Sequence, residues 1–195
     1  MSINCTDREA LERALRADLK ESRYEHSLRV EEMAVRLAGI WDGDKEKASF
    51  AGRYHDIAKN YDQERMDACV VRYGLPDELI GNNALAHSKV GAAVLRNEFG
   101  VDDEEVLDAV AYHTTARAGM SLLEEIVYVA DVVEEGRTYS DLPYYQQLAY
   151  EDLDRCCLEI LEYTINYLKS KGRAIHRDTL EAYAFVRDRI SKSKE

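Results

Sequence analysis

Only two prolines interrupt a chain of 195 residues, and no stretch alternates apolar and polar residues in the way of a strand. Little therefore breaks helical hydrogen bonding, and a β-rich architecture is excluded. No apolar run approaches the length needed to cross a bilayer, and the N-terminus has neither the basic start nor the apolar core of a signal segment. A cytoplasmic location is expected. The four cysteines, Cys5, Cys69, Cys156 and Cys157, show no metal-binding spacing. Adjacent Cys156 and Cys157 are poor disulfide partners within a helix, so the set reads as reduced thiols. Positive charge is scarce too: 26 Lys and Arg face 38 Asp and Glu, a net charge of −12. That balance argues against duplex nucleic acid or an anionic membrane as partner, since phosphate-backbone binding needs a basic surface.

What is present is helix-forming sequence along one domain, 1–195, with 46% hydrophobic residues to fill a core. Capping-box patterns occur at Thr6 with Glu9, Ser22 with Glu25, Asp102 with Glu105, Ser121 with Glu124 and Asp178 with Glu181. Gly74, Gly100, Gly136 and Gly172 stand where helices should stop. These limits predict an all-α bundle of about nine helices, at 7–20, 23–40, 45–58, 62–73, 85–98, 103–112, 121–134, 146–170 and 179–191. Repeats and low-complexity tracts are missing. The segment from Gly136 to Tyr150, with Pro143 and four tyrosines, is the one place where a loop could close over a ligand.

Chemistry concentrates in His26, His55-Asp56, His87, His113 and Asp131. Nitrogen and oxygen donors of this kind suit first-row transition metals, and six of them suffice for two ions with Asp56 as the bridge. Periodicity places each on an apolar helix face: His26 with Val30, Met33, Ala34 and Leu37, His87 with Val90, Gly91, Val94 and Leu95, His113 after Val106, Ala109 and Val110, and Asp131 after Val127. His55 shares its face with Ala48, Ala51, Gly52 and Ala58, all small enough for another backbone to come close. One histidine on such a face is ordinarily a hydrogen-bonded core residue, but four together with two inward aspartates form a pattern that metal coordination explains. His176, the fifth histidine, lies in a polar stretch outside the set. Lys59, four residues after His55, emerges beside the cluster as a candidate catalytic phosphate contact, with Arg23 and Arg137 as further cations. Thr114 offers a hydroxyl.

The words Arg23-Tyr-Glu-His-Ser-Leu-Arg-Val30, His55-Asp-Ile-Ala-Lys59, His87-Ser-Lys-Val-Gly-Ala92, His113-Thr-Thr-Ala-Arg-Ala-Gly-Met-Ser121 and Ala130-Asp-Val-Val-Glu-Glu-Gly-Arg137 resemble the YqeK branch of the HD-domain superfamily of metal-dependent phosphohydrolases. The resemblance runs over about residues 20 to 190, with the core motifs at about 20–137. It implies an HD-type helical bundle and symmetrical hydrolysis of diadenosine tetraphosphate to two ADP. It also implies one metal held by His26, His55, Asp56 and Asp131 and a second by Asp56, His87 and His113, with iron favoured. Such ions provide a water nucleophile near neutral pH, because a metal lowers the pKa of bound water to about 7. Helices 146–191 would complete the nucleotide site. There Gly172-Arg-Ala-Ile-His-Arg-Asp-Thr179 resembles a stretch that touches the nucleoside, with Ile175 as apolar surface and Thr179 as a contact or a helix cap. Tyr139, Tyr144, Tyr145 and Tyr150 either stack on a purine or pack the core. The chain departs from the family pattern at Arg53-Tyr54, where apolar residues are usual, and at Ala116, where glycine is usual.

Two other readings stay open: an HD-type phosphohydrolase acting on nucleoside mono- or triphosphates or a cyclic dinucleotide, and a nucleotide-binding regulator without turnover. The sequence leaves a homodimer open as well.

Overall fold

The structure, a computed structural model, describes residues 3–192; residues 1–2 and 193–195, the ends of the domain expected over 1–195, lie outside the described residues. Within it are ten α-helices, one 3₁₀ turn at Asp77–Leu79 and no strand. The helices are α1 Arg8–Asp18, α2 Glu21–Ile40, α3 Lys45–Tyr54, α4 Gln63–Arg72, α5 Asn83–Phe99, α6 Glu104–Tyr112, α7 Leu122–Val133, α8 Leu142–Glu151, α9 Leu153–Ser170 and α10 Arg177–Lys192. None of them is long and apolar enough to cross a membrane.

α7 is the axis of the molecule. Nine of its twelve residues are buried, the pattern of a helix surrounded on most sides. α2, α3 and α6 pack on its inner side, and α9 packs opposite and carries α8 and α10. Its start is the one expected capping box that forms: Ser121 Oγ accepts from the Glu124 N–H and the Glu124 carboxylate accepts from the Ser121 N–H. α2 and α3 approach most closely at Gly52, where a Cβ would meet the Glu31 Cα at 2.9 Å. The small face expected around His55 is therefore used for backbone approach, and it fixes α3 against the His26 helix.

The helix boundaries differ from the sequence reading at several points. The span 146–170 is two helices, because Asp152 turns out of helical conformation at φ −156° and its side chain caps α9 by accepting from the Arg155 N–H. Pro143 sits in the first turn of α8, where its missing N–H costs nothing, so the segment expected as a loop over 136–150 is helical from Leu142. Two other caps fall one residue later than expected, at Asp7 and Asp103, and α2 and α10 start ahead of Ser22 and Asp178. Gly74, Gly100 and Gly172 take left-handed φ values at or just beyond helix ends. Gly136 does not; α7 has already ended at Val133.

Candidate metal centre

α3 ends at Tyr54, so His55 is its C-cap rather than an interior residue, and Asp56 to Asn60 continue in tight turns. His113 is likewise the C-cap of α6. Two helix ends thus point an imidazole each at α2, which supplies His26, and α7, which supplies Asp131, while α5 brings His87 from the start of its second turn. All six side chains expected as ligands meet. Asp56 lies between the others: its Oδ2 is 3.4 Å from His55 Nε2, and its Oδ1 is 3.3 Å from His87 Nε2 and 3.4 Å from His113 Nε2. Asp131 Oδ1 is 2.9 Å from His26 Nε2 and 3.8 Å from His55 Nε2. The donor atoms of His26, His55 and Asp131 lie within 4.8 Å of one another, as do those of His55, Asp56 and His113.

The tautomers are assigned by what faces each Nδ1. His55 donates from Nδ1 to the Gly52 carbonyl at 2.7 Å, His113 to Val110 at 2.8 Å and His87 to Asn83 at 3.1 Å. His26 donates from Nδ1 to Glu134 Oε1 at 3.0 Å. Every Nδ1 is held from behind, so four Nε2 lone pairs converge on two carboxylates. His87 and His113 even face each other Nε2 to Nε2 at 3.2 Å. Lone pairs so opposed repel unless a cation lies between them, and oriented imidazoles backed by carbonyl or carboxylate acceptors are the arrangement that holds transition metals. His26 Nε2, His55 Nε2 and Asp56 Oδ1 are buried without a hydrogen bond; the 2.9 Å approach of His26 to Asp131 lacks hydrogen-bonding direction. The donor set fits a metal.

Its electrostatics agree. Burial, only partly offset by the Asp56 carboxylate, pushes His113 down to about 4, which leaves a neutral Lewis base. Burial opposes ionisation of Asp56, yet the His55 charge and the close imidazoles of His113 and His87 hold its carboxyl well below the usual range. Asp131 is lowered in the same way, with His26, His55 and Arg137 overcoming burial. For His55 burial disfavours charge, but Asp56 and Asp131 outweigh it and raise the imidazole. The centre favours positive charge at His55 Nε2.

Its mouth is ringed by the expected cations. Lys59 Nζ is 2.9 Å from His87 Nε2 and 3.6 Å from Asp56 Oδ1. Arg23 Nη1 donates to Asp56 Oδ2 at 3.0 Å, and Arg137 Nη2 to Asp131 Oδ1 at 2.7 Å. Each of the three side chains is about a third exposed and Asp131 is 23% exposed, whereas the four histidines and Asp56 are buried. Thr114 Oγ1 stands 3.1 Å from His87 Nε2.

Other expectations resolve differently. Thr179 lies inside α10 and is no cap; its hydroxyl is buried and donates to the Thr115 carbonyl at 2.9 Å, tying α10 to the strand of chain after His113. Ile175 lines a cavity of about 540 Å³ with Asn82, Leu85 and His176. His176 faces Glu78 and Asp178, away from the cluster. Tyr150 packs on Met33 and Arg36, and Tyr144 bonds Glu159. Glu134 and Arg29, which lock His26 in place, were not read from the sequence; Glu134 stands three residues after Asp131 and is the buried member of a Glu-Glu pair.

The comparisons decide the family. An HD domain model matches residues 23–136, the stretch that carries all six clustered side chains. The chain belongs to the HD-domain family. Among its relatives, the symmetrical bis(5'-nucleosyl)-tetraphosphatase of Staphylococcus aureus is 37% identical, over 93% of this chain and 97% of that protein. The symmetrical bis(5'-nucleosyl)-tetraphosphatase of Bacillus subtilis is 35% identical, over 92% and 97%. A solved structure, described as a predicted HD superfamily hydrolase involved in NAD metabolism from Clostridium acetobutylicum, superposes with a TM-score of 0.89 at 39% identity, covering 94% of this chain and 98% of that one.

The HD-domain chain accommodates both of its departures. Arg53 pairs with Glu12 at 2.9 Å and Glu31 at 2.6 Å, and Tyr54 reaches Glu12 at 3.4 Å. These side chains clasp α1 and α2 and do not face the metal ligands. Ala116 adopts φ +54°, a left-handed conformation that costs a non-glycine residue about 1–2 kcal/mol. Burial of its methyl group recovers roughly 0.8 kcal/mol of that.

Proposed function

We propose that this HD-domain hydrolase cleaves diadenosine tetraphosphate at its centre to two ADP, with His26, His55, Asp56 and Asp131 holding one divalent ion and His87 and His113 contributing to a second position that Asp56 bridges. The observation that carries the reading is the convergence of four Nε2 lone pairs on Asp56 and Asp131 beneath Lys59, Arg23 and Arg137. Bound there, divalent ions supply a water of lowered pKa and positive charge for phosphate oxygens. The protein does the rest. Its ring of cations binds the tetraphosphate over the only partly open ligand, Asp131, and fixes the attacked phosphorus in line. Thr114 and Lys59 lie where the charge on the displaced phosphate grows. ADP leaves as a phosphate whose last pKa is about 6, so no dedicated acid is required.

The two ends of the centre differ. At the His26 end Arg137 is bonded to Asp131 and Arg23 to Asp56, but the Nε2 atoms of His26 and His55 carry no hydrogen bond, whereas at the other end the Lys59 amine already touches the His87 lone pair. The first ion is accordingly the tight one, and iron suits its nitrogen and oxygen donors. The reading is tested by chromatography of the products from diadenosine tetraphosphate with the metal-reconstituted protein. ADP as sole product supports it; ATP with AMP, or no turnover with any of iron, manganese, cobalt or nickel, refutes it.

A further inference from the structure

A dinucleoside tetraphosphate cut at its centre carries a nucleoside on each side of the metal, and the centre is elongated. His87, His113 and Thr114 mark one end, and His26, Asp131 and Arg137 the other, with Asp56 between. Each end connects through the chain to a cavity: Asn82, beside the Asn83 carbonyl that holds His87, lines one, and Val132, beside Asp131, lines the other. Beyond His87 lies the one lined by Leu85 and Ile175. On the α9 flank of α7, around the helix end from Asp131, lies a second, of about 290 Å³, walled by Val132, Tyr139, Tyr145, Ile160 and Tyr163 and edged by Asp141.

Resting on the substrate reading above, we propose that this second cavity binds the other purine nucleoside of the dinucleoside tetraphosphate. Arg137 and Tyr139 join it to the centre. Both side chains turn back on the last turn of α7: Arg137 donates to the Asp131 carbonyl at 2.6 Å, and the Tyr139 hydroxyl donates to the neighbouring Val132 carbonyl at 2.7 Å. A phosphate chain lying on Arg137 thus delivers its nucleoside to the far side of Tyr139. The walls suit a base rather than a phosphate. Tyr139 and Tyr145 meet edge to face at 6.4 Å, Tyr163 presents a ring that is 63% exposed, and no lysine or arginine lines the cavity. Aromatic faces with an apolar floor stack purines, and the Asp141 carboxylate at the rim can accept from ribose hydroxyls or an exocyclic amine. A second base site also gives a reason why a symmetrical substrate is centred over the metals, since both ends are anchored.

Tyr163→Ala tests it, because an exposed ring can be removed without loss of fold. The variant should lower kcat/KM on diadenosine tetraphosphate about tenfold more than on adenosine 5'-tetraphosphate, the loss falling on KM, as one lost aromatic–base stack would. Tyr139→Phe, which keeps the ring, should hold the wild-type ratio. Equilibrium dialysis should count two ADP per wild-type chain and one per Tyr163→Ala chain. Equal losses on the two substrates, or a single ADP in the wild type, overturn the proposal. If the wild type fails to cleave diadenosine tetraphosphate, the substrate reading falls, while a change from two ADP to one in the variant still upholds the cavity as a nucleoside site.

Discussion

Glu134 and His26, 108 residues apart in sequence, are joined by a 3.0 Å hydrogen bond that sets which nitrogen of His26 faces the metal position. Glu134 is itself held by Arg29 Nε at 2.7 Å and by the Gly136 N–H at 2.5 Å. A Cβ at residue 136 would meet the Arg29 guanidinium and push it off Glu134, so the glycine here serves this close approach and is not a helix stop. The carboxylate is buried, and although burial opposes its charge, hydrogen bonds from His26, Gly136 and Arg29 keep its pKa low. It is a positioning residue for a metal ligand.

Replacing it should therefore weaken metal binding without dismantling the bundle. Glu134→Gln keeps the shape and an acceptor but loses the charge, and outer acceptors of this kind are worth about 10- to 100-fold in affinity. Competition titration with a chromophoric chelator should show a loss of that size, with helicity by circular dichroism unchanged. Wild-type affinity in the variant would mean that Glu134 only braces Arg29.

Lys59 invites a two-part experiment, because its amine lies 2.9 Å from His87 Nε2 and 3.6 Å from Asp56 Oδ1. Removing a cation that stabilises transferring phosphate typically costs about 10²-fold in turnover. Lys59→Met should slow kcat by that order, while freeing the His87 lone pair and tightening the second, weaker metal position. Two resolved binding constants from calorimetry, with only the weaker one improved, are expected. A variant with wild-type kcat/KM would reduce Lys59 to a surface residue.

How much of this was legible beforehand follows from the range of each interaction. The inward faces of His26 and His87 were readable because burial repeats with the helical period over several turns, and a close backbone approach at the His55 face because Ala48, Ala51 and Gly52 leave no bulk there, though not that α2 makes it. Caps were misread by one residue where two acceptors adjoin, as in Thr6-Asp7 and Asp102-Asp103, since either could serve and only the path of the preceding chain decides. The break at Asp152 was invisible because Ala149, Leu153, Cys156 and Ile160 keep an apolar period across it. Glu134 carried no signal of its own in the sequence, since its partners lie on α2, more than 100 residues away. The tyrosines of 139–150 could not be told apart by pattern; tertiary packing sends Tyr150 to the core side of α2 and Tyr139 to the end of α7.

The pH dependence of metal binding has a sign fixed by His55. Burial lowers its affinity for a proton, but Asp56 and Asp131 outweigh that and raise it above the ordinary 6.5, whereas His113 is down at about 4. Near and somewhat above pH 6.5 an arriving ion must displace the His55 proton and none from His113. Apparent affinity should climb with pH by up to about tenfold per unit, one proton released per ion, and level off once His55 is neutral. Calorimetry in buffers of different ionisation enthalpy counts that proton. Affinity independent of pH from 6 to 8 would show that His55 is already neutral in the metal-free protein.

The nucleophile can be followed by mass. Among the described residues Cys156 and Cys157 are buried, with thiols pushed up by burial, and the Thr114 hydroxyl lies beside His87 at the end assigned above to the displaced phosphate. Water is then the attacking group, and one oxygen from solvent must appear in the terminal phosphate of one of the two ADP molecules. Hydrolysis of diadenosine tetraphosphate in oxygen-18 water, analysed after a single turnover, should give equal amounts of labelled and unlabelled ADP and no ATP. Because the two halves of the substrate are chemically identical, the label also reports where the cut falls: it would enter AMP or ATP if an outer phosphorus were attacked. Unlabelled ADP alone after that first turnover would require a phosphoryl group held on the protein, on an imidazole or carboxylate of the centre, and would overturn direct attack by water.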